Sequence, residues 1–434
     1  MQKVAIIGSG YSGLAAALEL QKKGFEVIIY DRDLKGGGLA SGFEVNDWNW
    51  SIERFYHHWF TNDDNIIWLA DETGLRDMIV TYTPRTSILL DDDVLPFDSP
   101  HHILMVPGLN LADKFKLSKA LIELKLNKSW KRYENQLCVE WMPEKMGVNA
   151  YERIWKPMLI GKWGDYYDKI NMAWFWARIH KRTRKLMYPE GGYQNFTDNI
   201  IEALKLKNVK IKLGVDIKKV RQLQNGKISI TLNDIDLEYD KVLCTVSPNI
   251  FSNLVDGLTE SYTSEIRSLT SIGAVCMLLI MKKRLMKNTY WLNIPAKNPN
   301  PLENDIPFLV CVEHTNMLPH ENYSGKHIIY CANYLVPDHK MLSMSDNDIF
   351  KLYLKGLKNI NSDLREDEIS EYFISRTDYA SPVFLLNHSK SVPDIVTPIK
   401  NVYWASMSHV YPWDRGTNYA VGIGREAANI MMSH

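Results

Sequence analysis

Residues 3–31 read KVAIIGSGYSGLAAALELQKKGFEVIIYD, and this stretch decides the fold. Lys3 to Ile7 is a short apolar run rich in β-branched residues, the pattern of a strand buried on both faces. Gly8-Ser9-Gly10-Tyr11-Ser12-Gly13 follows at once and fits G-x-G-x-x-G. Leu14 to Lys23 reads as a helix stopped by Gly24, and Phe25 to Tyr30 as a second strand closed by Asp31. A βαβ unit with an acid ending its second strand is the pattern of a dinucleotide site. Gly8 permits the tight turn, Gly10 lets a pyrophosphate approach the backbone, and Gly13 lets helix and strand pack closely. The helix start offers free N–H groups and a positive dipole end, with Tyr11 and Ser12 in its first turn. Asp31 can accept hydrogen bonds from ribose hydroxyls and would repel a 2′-phosphate, which disfavours NADP.

The rest of the chain bounds what this unit can serve. It has 434 residues, enough for two or three domains, with 51 Lys+Arg against 51 Asp+Glu. Zero formal charge gives no bulk reason to bind nucleic acid or to stay disordered. Cys138, Cys244, Cys276, Cys311 and Cys331 are scattered without a C-x-x-C pair. No disulfide framework and no metal site is expected, and a reducing, cytoplasmic setting is the default. The longest apolar run, Ala274 to Met281, falls far short of the roughly 18 residues of a membrane span. The N-terminus carries a glycine turn and Glu19 where a signal peptide would be continuously apolar. The composition is rich in aromatics, with 13 Trp, 22 Tyr and 13 Phe, residues that pack cores and also line cavities for flat or apolar ligands.

Gly36-Gly37-Gly38-Leu39-Ala40-Ser41-Gly42 lies just beyond Asp31 and leads into Phe43 to Ile52, a hairpin pattern centred on Asn46-Asp47. Here the sequence resembles the flavin-containing amine oxidase superfamily, which includes protoporphyrinogen oxidases, phytoene desaturases and, more distantly, UDP-galactopyranose mutases. Gly37, Gly38, Leu39 and Ala40 match the family's Gly-Gly segment beside FAD. Many members carry Arg where this chain has Leu39, which leaves Arg32 and Lys35 as candidate partners of the pyrophosphate. Tyr188 to Tyr193 (YPEGGY) looks like the family's Gly-Gly turn before a helix. Lys212 to Val220 looks like the strand pair where a Val backbone, here Val215, meets adenine. Asp240 to Pro248 looks like the strand returning to the nucleotide domain. The final stretch, Asn401 to Met432, holds a strand, the loop Tyr411 to Asn418 and a helix starting near Tyr419. In the family that helix points its N-terminus at the flavin. The resemblance therefore implies FAD contacts at Trp413, Thr417, Asn418 and Tyr419. No Cys stands in that loop, so FAD is expected to be non-covalent.

The resemblance covers nearly the whole chain and implies an α/β protein: a Rossmann-type (GR2-like) FAD-binding domain interleaved with an α+β substrate domain. Residues 1–72, 188–249 and 396–434 are expected in the first, and 73–187 and 250–395 in the second. Helices are expected at Leu111–Leu126, Tyr133–Met142 and near Asp346–Leu357. Strands are expected at Ala274–Met281, Phe308–His314 and His327–Val336, and a turn at Asp91-Asp92-Asp93.

Three segments carry candidate chemistry. Glu53 to Phe60 (ERFYHHWF) holds His57 and His58, which can bind substrate or shuttle a proton near neutral pH if the chain runs past the flavin, as in the family. The bland alternative is one core and one solvated histidine. Tyr151 to Gly164 (YERIWKPMLIGKWG) and Asn171 to Lys185 (NMAWFWARIHKRTRK) combine tryptophans with basic residues. Trp174, Arg178 and Arg182 are candidates to frame an apolar or ring-bearing substrate with an anionic end, against the alternative of a buried face plus a solvated basic face. Shallow membrane contact to reach a lipid is a third reading. Glu313, His314 and Asn316 end an apolar strand, as acid/base and binding candidates or as a plain strand end. These segments resemble a bacterial subgroup described as protoporphyrinogen-oxidase-like or FAD-dependent oxidoreductases. The expected function is hydride transfer between a small organic substrate and flavin N5, with the electron acceptor open. Two alternatives stand beside it: a non-redox flavoenzyme acting on a nucleotide sugar, and an FAD-binding protein without turnover.

Overall fold

The computed structural model describes residues 1–45 and 47–434. Its organising element is a five-stranded parallel sheet in the order Lys210–Lys212, Glu26–Tyr30, Lys3–Ile7, Lys241–Cys244, Val402–Trp404. These strands come from three stretches separated by more than a hundred residues. The period of two along Lys3–Ile7 explains the layers. Val4 and Ile6 pack with Leu14, Leu18, Ile200 and Val421, from three helices on one face. Ala5 and Ile7 pack with Val220, Ile230 and Phe251 on the other, beneath the antiparallel meander Ile217–Gln222, Ile228–Leu232 and Ile235–Tyr239. The strand order reverses beside Lys3–Ile7, which leaves a crevice at the carboxyl ends of the strands, where open α/β sheets bind ligands.

Two glycines are required by close approach. A Cβ on Gly13 would lie 2.0 Å from the Gly8 carbonyl oxygen, and one on Gly424 would lie 2.1 Å from that of Ser12. The first helix (Tyr11–Lys22) is thereby seated on its strand, and the C-terminal helix (Thr417–Ser433) on the first helix.

A second, seven-stranded sheet runs in the order Ile369–Pro382, Ser271–Met281, His327–Leu335, Val310–Glu313, Trp291–Asn293, Thr86–Leu90, Asp93–Pro96. It is antiparallel except where Trp291–Asn293 meets Thr86–Leu90. Along Ser271–Met281, Cys276, Leu278 and Ile280 face the nucleotide-sheet side, whereas Val275, Met277 and Leu279 pack on the helix Asp346–Ile360 through Ile349 and Tyr353. The helices Leu111–Leu126, Cys138–Met146, Lys156–Trp163 and Met172–Lys181 form a separate core around Leu117, Trp141, Trp163 and Trp176.

Several local expectations shift. The helix expected over Tyr133–Met142 starts at Cys138, because Cys138 N–H bonds the Ile170 carbonyl and Leu137 bridges Asn171. The strand expected to reach His314 stops at Glu313, and His314–Asn316 forms a 3-10 turn. The turn at Asp91 and Asp92 takes positive φ between two strands. In the expected hairpin Gly42–Phe43 pairs with Ile52–Glu53, but Asn46 of its turn centre lies outside the described residues. No helix among the described residues is long and apolar enough to cross a membrane.

Candidate functional site

A cavity of about 970 Å³ opens at the carboxyl ends of the parallel strands and continues under the second sheet. At one part it is lined by Gly8, Gly10, Tyr11, Ser12, Asp31, Arg32, Gly37, Gly38, Leu39, Ala40 and Val215. Gly10 and Gly37 form a bridge, and a Cβ on Gly10 would meet only the Gly38 Cα, at 4.0 Å, so two backbones make a narrow cradle. The Asp31 carboxylate accepts from Ser9 N at 2.6 Å and Ser9 Oγ at 2.7 Å, which holds it at the strand end with lone pairs to spare. Val215 N donates to the Asp31 carbonyl at 2.7 Å, joining the meander to that corner. Gly13 sits behind the cradle as the packing glycine.

The helices reaching this region share one feature. The first helix starts from Gly10, the helix Gly192–Leu206 from Gly191 and the C-terminal helix from Gly416, none with a side-chain cap. Elsewhere Asn110, Asn171, Thr259 and Ser345 cap their helices with side-chain oxygens, although Cys138–Met146 and Lys156–Trp163 have no such cap. Uncapped N-termini leave N–H donors and positive dipole ends for an anionic or electron-rich ligand. The C-terminal helix is anchored sideways: Trp59 Nε1 donates to Thr417 Oγ1 at 2.6 Å. Thr417 and Tyr419 line the cavity.

The remaining wall comes from the second sheet and the helical core. Tyr56, His57, His58, Tyr290, Trp291 and Tyr334 line it, with Arg54, Arg178, Lys181, Arg182, Arg184, Arg376 and Arg415. Tyr56 stands edge-on to Trp291 at 5.0 Å between centroids, and His58 edge-on to the same ring at 5.6 Å. His57 Nδ1 lies 2.6 Å from the Phe55 carbonyl and therefore donates; His58 Nδ1 lies 3.1 Å from the Tyr290 hydroxyl. Burial pushes His57 down to about 4 and His58 to about 3. Both are neutral at neutral pH, which corrects the expectation that they titrate there. Arg182 lines the cavity, and desolvation by its surroundings, then Arg178, pull it down to about 10. It remains a cation.

Other sequence candidates lie elsewhere. Glu313 and His314 are fully buried and do not line the cavity. Glu313 Oε2 accepts from Met286 N, His314 Nε2 meets the Tyr323 hydroxyl at 3.1 Å, and Asn316 Nδ2 donates to the Met286 and Thr289 carbonyls at 2.9 Å. Glu313 and Asn316 thus clamp the 286–289 loop, His314 is packed against Tyr323, and none of the three lines the cavity. Asn418 Oδ1 accepts from Asn65 N and Ile66 N, so its side chain serves the start of the helix Asp64–Thr73. Trp413 stacks on Tyr419 outside the cavity lining, and Trp174 is buried beneath Arg178. Reasoning from sequence missed Arg54, Tyr56 and Arg415, which stood inside quoted segments beside chosen residues. It also missed Tyr290, Trp291 and Tyr334, which carry no motif signal.

The flavin-containing amine oxidoreductase model matches residues 11–432. The chain belongs to this family. Family members are FAD-dependent oxidoreductases, and FAD is the cofactor. The cradle just described fits that cofactor, and among the described residues no cysteine lines the cavity. The chain is 20% identical to coproporphyrinogen III oxidase of Bacillus subtilis over 92% of this chain and 91% of that protein. It is 28% identical to a zeta-carotene desaturase of Arabidopsis thaliana over 36% and 32%. In structure it is similar to reduced UDP-galactopyranose mutase (TM-score 0.76, 15% identity, 100% and 96% covered). It is similar also to cyclohexylamine oxidase of Brevibacterium oxydans (TM-score 0.74, 13% identity, 100% and 99% covered). The structural likenesses show a shared fold.

Proposed function

We propose that the chain dehydrogenates a small organic substrate held beside FAD, in the chamber walled by Tyr56, Tyr290, Trp291 and Tyr334. In this reading residues 1–72, 188–249 and 396–434 form the FAD-binding domain, and 73–187 with 250–395 form the substrate domain. The observation that carries it is one continuous cavity joining the nucleotide cradle to an aromatic chamber with a cationic wall. FAD, when bound, supplies a two-electron acceptor for hydride at N5.

The chain's own residues supply position and proton handling. The edge-to-face rings exclude water and orient a flat or apolar group. Arg178 and Arg182 orient an anionic end. His58 offers Nε2 to the substrate as a proton acceptor, made weakly basic by burial, in the tautomer whose Nδ1–H donates to the Tyr290 hydroxyl. The cofactor-facing residues are the cradle glycines with Asp31, Arg32, Val215, Thr417 and Tyr419. A screen of porphyrinogens, carotenoid precursors and amines, read by bleaching of the flavin absorbance, tests this. An FAD-loaded protein that none of these classes bleaches defeats it.

The cation-rich wall and the likeness to UDP-galactopyranose mutase favour one second reading, rearrangement of a nucleotide sugar without net electron transfer. It requires turnover only after chemical reduction of the protein.

A further inference from the structure

Lys162 closes the helix Lys156–Trp163 and is buried at 7% exposure. Its Nζ has no hydrogen-bond partner. It rests 3.3 Å from the ring centroid of Tyr334 and 5.0 Å from that of Trp163. Arg415 lies over the same Tyr334 ring at 4.6 Å, and Arg178 over Trp174 at 5.2 Å. Aromatic faces hold cations without consuming their N–H donors. The carboxylate that the two arginines share is Asp414, which accepts from Arg178 Nη1 and lies 3.8 Å from Arg415 Nη1. Lys162 and Arg415 thus share the Tyr334 ring, and Arg178 joins them through Asp414; Tyr334, Arg178, Asp414 and Arg415 line the cavity, and Lys162 is buried beside it. We propose that Arg178 and Arg415 form an oxyanion subsite on the substrate side of the cavity, taking a doubly charged group of the substrate, with Asp414 as its resident counter-ion and Lys162 as a buried amine beside them.

This deepens the oxidoreductase reading and rests on its substrate chamber. The groups facing Lys162 are Trp163 of its own helix, Tyr334 of the strand His327–Leu335, Arg178 of the helix Met172–Lys181, and Asp414 and Arg415 of the loop before the C-terminal helix. Burial, then Arg415 and Arg178 against the pull of Asp414, keep the amine well below its usual range. An arriving oxyanion reverses that balance, so binding takes up a proton. The test is calorimetric titration of FAD-loaded protein with inorganic diphosphate and, separately, succinate, in two buffers of different ionisation heat. Diphosphate is expected to bind with about one proton taken up per anion. Lys162→Met is expected to abolish the uptake and weaken binding about tenfold. Tighter binding of succinate assigns the subsite to carboxylates. Binding of neither anion, or binding without proton uptake by the unaltered protein, overturns the proposal without relying on any variant. Flavin bleaching is read separately, so the subsite and the redox reading can fail independently.

A different observation carries a second proposal. The helix Leu111–Leu126 buries Leu117, Ala120, Leu121 and Leu124 on one face. Leu111, Phe115, Ile122 and Leu126 fall within a narrow stripe on the opposite face and are 85%, 73%, 58% and 72% exposed. Residues 111–132 also carry seven Lys or Arg against Asp113 and Glu123, in a chain of zero formal charge. An exposed apolar stripe bordered by lysines suits an anionic lipid surface. Lys125 Nζ donates to the Ile179, His180 and Arg182 carbonyls, so this helix adjoins the segment lining the cavity mouth. We infer that this face docks on anionic membrane and delivers the cavity mouth to it. In vesicle flotation, FAD-loaded protein should rise with phosphatidylglycerol vesicles, less so at high salt, and not with phosphatidylcholine alone. Phe115→Glu with Ile122→Glu should lower the bound fraction roughly tenfold while retaining FAD. Equal flotation of the variant, no flotation at low salt, or a dimer in solution that the same changes dissociate would overturn it.

Discussion

At the residue scale, buried ionisable groups dominate. Glu53 is fully buried, accepts from Tyr188 Oη at 2.7 Å and Tyr193 N at 2.9 Å, and leaves Oε2 without a partner. Desolvation raises its pKa to about 7. The folded chain therefore binds this proton more tightly than the unfolded one. That stabilisation is complete below the ordinary value of 4.5 and is lost as pH rises through about 7. His57 and His58 act in the opposite sense: their contribution is present above 6.5 and is lost as pH falls towards about 4 and 3. Glu53→Gln keeps the acceptor and removes the titration. Urea unfolding should show the variant gaining on the parent between pH 5 and pH 8, by at most roughly 3 kcal/mol. At Asp31 the held carboxylate predicts that Asp31→Asn weakens FAD retention about tenfold, measured by fluorescence of released flavin. Unchanged retention would remove Asp31 from the cofactor site.

At the element scale, the helix ends decide where ligands go. The helices that start from Gly10, Gly191 and Gly416 at the cradle have no side-chain cap, whereas Asn110, Asn171, Thr259 and Ser345 cap theirs. The Asn418 cap is structural, so Asn418→Ala should cost about 1 kcal/mol of stability. Gly424 has no room for a methyl group against Ser12. Gly424→Ala should cost about 2 kcal/mol by overpacking, lower the thermal midpoint and loosen FAD, because it displaces the helix start that faces the cavity. Melting curves with and without added FAD check both variants.

At the scale of the whole molecule, the cavity exists because two sheets of different construction share a chain. The parallel sheet places its crevice at one edge, and the long strands of the second sheet present Ala332, Asn333 and Tyr334 across it. The histidines lining the chamber are neutral over the physiological range. The rate of flavin bleaching by a true substrate should therefore show no titration near pH 6.5 from His57 or His58. A transition near that value, abolished by His58→Gln, would show that burial acts less strongly than the structure implies.

The N-terminal βαβ unit was legible because glycine spacing, a β-branched run and a terminal acid are local constraints with local physical causes. The helices Leu111–Leu126 and Asp346–Ile360 and the strand Ser271–Met281 were legible through periodicity. Side-chain chemistry was much less so. Glu313, His314 and Asn316 look catalytic in a row, but the strand ends one residue early, and Glu313 and Asn316 hold the 286–289 loop while His314 meets Tyr323. Lys162 and Arg415 lie more than two hundred and fifty residues apart, inside two quoted segments that nothing in the sequence joins. They meet over Tyr334 because three distant segments converge there. Sequence alone determined that the chain builds a dinucleotide cradle, since the strand, glycine turn, helix and terminal acid that mark it all lie within residues 3–31. Tertiary structure alone decided which charges are buried, which are unpaired and which face the cavity, since desolvation depends on neighbours that only folding supplies.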